Sequence, residues 1–318
     1  MTAAAHTAPT VTVVSVVDPT MVRDPELRAT LERMGRLMAQ QDDEAPPASA
    51  PGPALPTRLP AFPDTARPVV NDVARSALFS CVQGKDRQML EKALLATVEG
   101  VEIRFTGRQW NQDDHDLLMQ VVHMAGQAPL GEYVLLPAYA ILQGLDRDTG
   151  GEQYRQLRDD IERLVAGTVS LRNTTRKVEY IGHLVDDAVQ DEGSRHWLIR
   201  LNLKLRALYG PATHTLVDWE QRKRLRGKDL ARWLHLYLAT HAAPFPVKVA
   251  TLKDLSGSRT TALRKFRQML RRALADLQAN GAIVAWDIDD TDLVHVDRGN
   301  AVTDSQRRHL DRQQETWR

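Results

Sequence analysis

Cysteine is almost missing from this chain: Cys81 is the sole one in 318 residues. That excludes an internal disulfide framework and any multi-cysteine zinc site, and Cys81 itself reads as a small buried or half-buried side chain. Long apolar runs are also missing, and none approaches the roughly 20 residues that cross a bilayer. The N-terminus has no basic segment leading into a long apolar core, so a secretory signal is not expected and a cytosolic location is. Nor does one sign of charge dominate, with 42 Lys and Arg against 41 Asp and Glu. A polyanion must therefore be met by cations gathered locally.

Signatures of catalysis are lacking too. There is no G-x-x-x-x-G-K-[ST] phosphate loop, since Gly227-Lys228 is followed by Asp229. No His-x-His pair with a downstream Tyr marks a strand-nicking enzyme. His115 and His123 stand too far apart on one helix to share a metal. The pairs Asp113-Asp114, Asp186-Asp187 and Asp289-Asp290 fall at expected caps and turns. Neither an enzymatic activity nor a cofactor or metal is expected.

What the chain does have is local segregation of charge. Between Arg259 and Arg272 lie six basic residues and no acidic one. Leu263, Phe266, Leu270, Leu274 and Leu277 recur with helical period and share one arc, opposite Arg264, Lys265, Arg271 and Arg272, with Arg267 at the margin. Such a helix suits a DNA major groove, because Arg fits both phosphate and the guanine edge. After the helix-stopping Asn280-Gly281, the runs Ala282 to Ile288 and Leu293 to Val296 flank an Asp-rich turn and predict a hairpin. Upstream, Lys228 to Ala242 reads as an amphipathic helix, followed by a turn at Pro244 to Pro246 and a short helix around Val249 to Leu255. This is the element order of a winged helix-turn-helix unit, whose third helix reads the groove and whose hairpin, here at Asp287 to Asp292, lies beside the backbone.

The rest divides into an arm, a first domain and a tail. Residues 1–66 are rich in Ala, Pro and Thr, with a polyproline-prone stretch from Ala45 to Pro56 and one candidate helix over 24–41. Val11 to Val17 is strand-like without an evident partner. The first domain is expected over 67–210, with helices near Asn71 to Ser80, over Asn111 to Gly126 and over Thr149 to Gly167. The last begins with a Thr149/Glu152 capping box, and β-like runs follow it. Short helices again precede a longer helix and a hairpin, so the expected fold class is α+β, with tandem winged-helix domains at 67–210 and 211–298 and a tail at 299–318. The first domain's long helix mixes Arg155, Arg158 and Arg163 with acids, so its share is some phosphate contacts or a protein interface. Candidate DNA-binding residues are thus Arg259, Thr260, Arg264, Lys265, Arg267, Gln268, Arg271 and Arg272, the connecting Arg222, Lys223, Arg224 and Arg226, and Arg155 and Arg158.

Three segments, Arg58 to Phe79, Glu99 to Gly107 and Thr215 to Val247, with the closing Asp292 to Arg298, resemble plasmid replication initiators of the TrfA type. The resemblance covers about Arg58 to Arg298. It implies a plasmid-encoded bacterial protein that binds direct repeats (iterons) in double-stranded origin DNA and promotes opening beside the host initiator DnaA. It also implies help in loading the helicase DnaB, and a self-dimer that restrains copy number. Leu78 and Phe79 in Arg75 to Phe79 could mimic a peptide bound by the polymerase sliding clamp, or could simply belong to a helix core. A winged-helix transcriptional repressor and a replisome adaptor with weak DNA binding would carry many of the same residues.

Overall fold

Two hydrophobic cores organise the described residues: the first runs to Trp219 and also takes in Leu236, and the second starts at Leu225. The computed structural model describes residues 58–299 apart from positions 127, 192, 193, 211 and 243, together with positions 12, 13, 25, 28, 29, 32 and 33 of the arm. Of the helix expected over 24–41, Pro25, Arg28, Ala29, Glu32 and Arg33 are described and are helical. The Ala45–Pro56 stretch and residues 300–318 lie outside the described residues. From the strand-like Val11 to Val17, β1 (Thr12–Val13) is described.

The first half starts with β2 (Ala66–Val70), α1 (Asn71–Ala74) and β3 (Phe79–Ser80). A helix expected to reach Ser80 stops at Ala74. Ser76 Oγ donates to Val73 O and accepts from the N–H of Leu78, so a side chain competes with the helical ladder. Next come β4 (Met89–Leu95), β5 (Val101–Arg108) and β6 (Trp110–Asn111), which leads into α2 (Gln112–Ala125). Asn111 and Asp114 form a capping box there. β7 (Tyr133–Pro137) and α3 (Ala138–Gly144) precede α4 (Gly151–Ala166). The capping box expected from Thr149 does not form: α4 is capped by Gly150 without a side-chain bond, and Glu152 pairs instead with Arg155. Four strands follow, β8 (Thr168–Asn173), β9 (Val178–His183), β10 (Val185–Asp191) and β11 (His196–Leu201).

β12 (His214–Asp218) pairs antiparallel with β2, so the segment just past position 210 packs with the first half. The second half then runs through α5 (Trp219–Lys223), α6 (Asp229–Ala239), β13 (Val247–Lys248), α7 (Val249–Leu255) and α8 (Leu263–Ala279). It closes with a hairpin of β14 (Ala285–Ile288) and β15 (Leu293–Asp297). Asn280 caps α8 and Gly281 turns the chain at φ +75°, a left-handed conformation that costs a glycine little.

One strand order recurs in both halves of a mixed α+β architecture. In the second, a strand before the short helix pairs with the later hairpin strand, giving the sheet order β13-β15-β14. In the first, β7-β11-β10 does the same, with β1 added at the β7 edge. The first half also inserts β8 and β9, which join β4 and β5 in a separate sheet ordered β4-β5-β8-β9. Among the described residues no helix is long and apolar enough to cross a membrane.

Candidate nucleic-acid interface

α8 sorts its side chains by hydropathy as its period requires. Phe266, Leu270, Ala273, Leu274 and Leu277 are buried against α6, α7 and the hairpin, and Leu263 is half-buried beside them. At ~1.5–3 kcal/mol for each fully buried large side chain, this face fixes the helix firmly and dictates which residues point outward. Arg264, Lys265, Gln268, Arg271 and Arg272 are exposed, and none of them holds a hydrogen bond or ion pair with a described residue. Four uncompensated cations thus share one face with one amide side chain. Such guanidinium groups can meet phosphate or pair with a guanine edge, and Gln can pair with adenine.

Other candidates are placed differently. Arg259 and Thr260 precede α8 and sit in the turn after α7. Arg259 donates to the carbonyl of Asp86 and to Gln109 Oε1, both in the first half, so it is not a free cation. Arg267 turns to the hairpin and grips Asp292, with Nε to Oδ1 at 2.8 Å. It steadies the turn instead of facing outward. Arg222 has no exposed surface at all: Nε donates to Asp116 Oδ1 at 2.7 Å and Nη2 to Gln112 Oε1 at 2.7 Å. A phosphate could not reach it, and burial lowers its pKa to about 10. Its neighbours lie further out. Lys223 is half-buried and pairs with Glu220 at 2.7 Å, exposed Arg224 donates to Asn280 Oδ1 at 2.8 Å, and exposed Arg226 donates to the carbonyl of Asp146. On α4, Arg155 is exposed but bound to Glu152, and Arg158 is exposed.

Leu78 and Phe79 do not form a docking peptide. Each is 1% exposed, and Phe79 stacks on Trp110 at 5.1 Å and on His115 at 4.1 Å. A clamp-binding peptide must offer its apolar pair to a partner's pocket, and this pair belongs to the first core.

Sequence reasoning also missed the polar junction between the halves. Arg232 of α6 donates to Asp113 at 2.6 Å and to Asp116 at 2.5 Å, beside buried Arg222. His115 and His235 are enclosed there. Burial, with Arg222 nearby, lowers the pKa of each to about 3, which keeps both neutral. Close by, a groove of about 730 Å³ lies between the halves, where Lys265 and Arg272 face Gln83, Asp86 and Lys228. Cys81 lines it, and burial raises its thiol to about 11, far from a reactive thiolate. The hairpin turn and the strand end before it are acidic: Asp287 of β14 and Asp290 of the turn are exposed, while Asp289 accepts from the N–H groups of Thr291 and Leu293. Phosphate would be repelled by that tip, so a hairpin lying beside the backbone must approach through another surface. Among the described residues no cluster of three or more His, Cys, Asp or Glu could hold a metal ion.

Known proteins complete the description. The plasmid replication initiator protein TrfA of Escherichia coli is 29% identical over 249 residues, covering 74% of this chain and 63% of the relative. The chain therefore spans a little under two thirds of that protein's length. Among solved structures, the Pi initiator protein in complex with iteron DNA shares 14% identity at a TM-score of 0.46, over 61% of this chain and 96% of that one. Domains 2 and 3 of RctB share 13% identity at a TM-score of 0.43, over 68% and 94%. The model of the TrfA protein family matches residues 57–298, three quarters of the sequence and both halves of the fold, and the chain belongs to that family.

Proposed function

We propose that this protein initiates plasmid replication by binding direct repeats in origin DNA, with α8 as the reading helix of a winged-helix unit. The carrying observation is the exposed face of Arg264, Lys265, Gln268, Arg271 and Arg272, without an ion pair to any described residue and backed by a buried apolar stripe. Family membership supplies the biological setting. The shared plan of the two halves supports a tandem winged-helix reading, in which α4 takes the place of α8 in the first half.

In this mechanism α8 enters the major groove of one repeat. Arg264, Gln268 and Arg271 contact base edges, and Lys265 and Arg272 meet phosphates on the side of the groove between the halves. Occupancy of successive repeats adds up by multivalency, and the accumulated bending weakens the neighbouring duplex. Engagement of host DnaA and DnaB, and a self-dimer limiting copy number, belong to the same reading. The chain acts by binding and deforming DNA, without a catalytic step of its own.

The test is binding to the repeats of the encoding plasmid at fixed salt, together with replication of an origin-bearing plasmid supplied with the protein in trans. Arg264→Ala should cost ~1–3 kcal/mol and relax preference among repeat variants. Unchanged affinity and selectivity would remove α8 as the reading helix. Tight repeat binding without replication in trans would instead favour a repressor.

A further inference from the structure

The turn that delivers α8 is fastened to the first half. The N–H of Cys81 donates to Ser256 O at 2.8 Å. Gly257 adopts φ +64°, and a Cβ there would stand 2.7 Å from the Cβ of Ser80 and 3.3 Å from that of Ala77. Two residues later, Arg259 spans to the Asp86 carbonyl and Gln109 Oε1. These acceptors belong to a larger network. Arg87, next in sequence to Asp86, pairs with Asp114 at 3.0 Å, and Asp114 accepts from Arg163 of α4 at 2.9 Å. Arg163 also bonds Asp160, which holds Arg147 at 2.7 Å. A path of polar contacts and one peptide link therefore joins α4 to the turn that opens α8.

We propose that Arg259 is a positioning residue, holding α8 in a fixed pose relative to α4 so that both helices meet one duplex in a single rotational register. The proposal rests on the reading of α8 as the DNA-facing helix with α4 as its counterpart in the first half, and adds how their relative orientation is set. A guanidinium suits the task because its planar fork donates in two directions, to acceptors on two separate segments of the first half. Pre-set geometry matters here because the second contact of a rigidly linked pair forms intramolecularly and its ordering cost is already met.

The experiment uses the full chain and two duplexes cut from the repeat array of the encoding plasmid, with fluorescence anisotropy at one salt concentration. One duplex, of about 12 base pairs, covers little more than the turn that a single helix reads; the other, of about 30, reaches both halves. Wild type should bind the long duplex more tightly than the short. Arg259→Ala should lose on the order of tenfold on the long duplex and stay within about twofold on the short one. Gln109→Ala, which removes one acceptor, should shift the same ratio by less, and Arg259→Lys should not restore it. Urea midpoints verify that each variant is folded. Equal losses on both duplexes would make Arg259 a direct DNA contact, and unchanged binding to both would deny it any role; either result overturns the proposal. So would a wild type that does not distinguish the two lengths. Arg264→Ala on the short duplex isolates the underlying reading: if it binds as wild type does, α8 does not read DNA and the proposal falls with it.

Discussion

α8 and α4 each follow the short helix of their half and precede its paired strands, yet they spend their arginines differently. On α8, four of the basic residues have no partner among the described residues, and Arg267 alone on the helix is tied to an acid. On α4, Arg155 is matched by Glu152, Arg163 is held by Asp114 and Asp160, and exposed Asp159 and Glu162 lie alongside. Even the buried face differs, since that of α4 includes the carboxylate of Asp160 among Leu157, Ile161 and Leu164. The comparison teaches that arginine count says little about capacity for a polyanion. What matters is how many guanidinium groups the fold leaves uncompensated.

The largest expected effects concern stability, and they sharpen the contrast between apolar and ionic backing. Phe266→Ala, which opens a cavity under α8, should cost ~3–5 kcal/mol in urea unfolding. Asp114→Ala should cost a similar ~3–5 kcal/mol, because it leaves Arg87 and Arg163 buried without their shared carboxylate. A value below about 1 kcal/mol for Asp114→Ala would mean that the network behind α4 is well solvated.

Acidification should destabilise the fold, in part at the polar junction between the halves, where His115 and His235 are enclosed. His115 and His235 have pKa values lowered to about 3 from the ordinary 6.5, and His123 and His241 to about 4. The unfolded chain binds protons that the folded one refuses, so this stability is full above pH 6.5 and drains as pH falls from there toward 3. Asp114 and Asp229 act oppositely, since burial raises both carboxyls, Asp114 to about 6, and the folded state gains as they protonate. Four histidines outweigh two carboxylates, so urea midpoints should fall steadily from pH 7 to pH 5. A flat profile would mean that protons reach those histidines without opening the fold.

Smaller effects appear in binding. Arg271→Ala, at a base edge, should cost selectivity among repeat variants, whereas Arg272→Ala, at a phosphate, should flatten the salt dependence of repeat binding by about one phosphate's worth of counterion release. Arg155→Ala, already matched by Glu152 on the surface, should change affinity by less than about 0.5 kcal/mol. A loss as large as that of Arg264→Ala would erase the distinction between the helices.

The legible parts of this fold were those that local pattern decides. The amphipathic period of α8, its stop at Asn280-Gly281 and the hairpin after it all depend on residues within a turn or two. The missed parts depend on distant partners. Arg222 lies within a basic run and reads as solvent-facing, but its carboxylate partner is 106 residues away. Arg259 finds acceptors 173 and 150 residues away, and Arg267 an acid 25 residues on, across the hairpin turn. Period alone gave a hint at Arg222: it falls one turn after buried Trp219 and three residues before buried Leu225, on the inward face. Leu78 and Phe79 show the converse, a short motif whose meaning the surrounding core decides.

The central claim is that the uncompensated face of α8 lies against duplex DNA. The most direct measurement is photocrosslinking to a repeat-bearing duplex from a reactive side chain placed at Gln268, with the same group at Gln156 on α4 and at Asp287, on β14 beside the acidic turn, for comparison. Strong crosslinks to bases from position 268, and few from 287, are the predicted result. Crosslinks from 156 or 287 with none from 268 would contradict it.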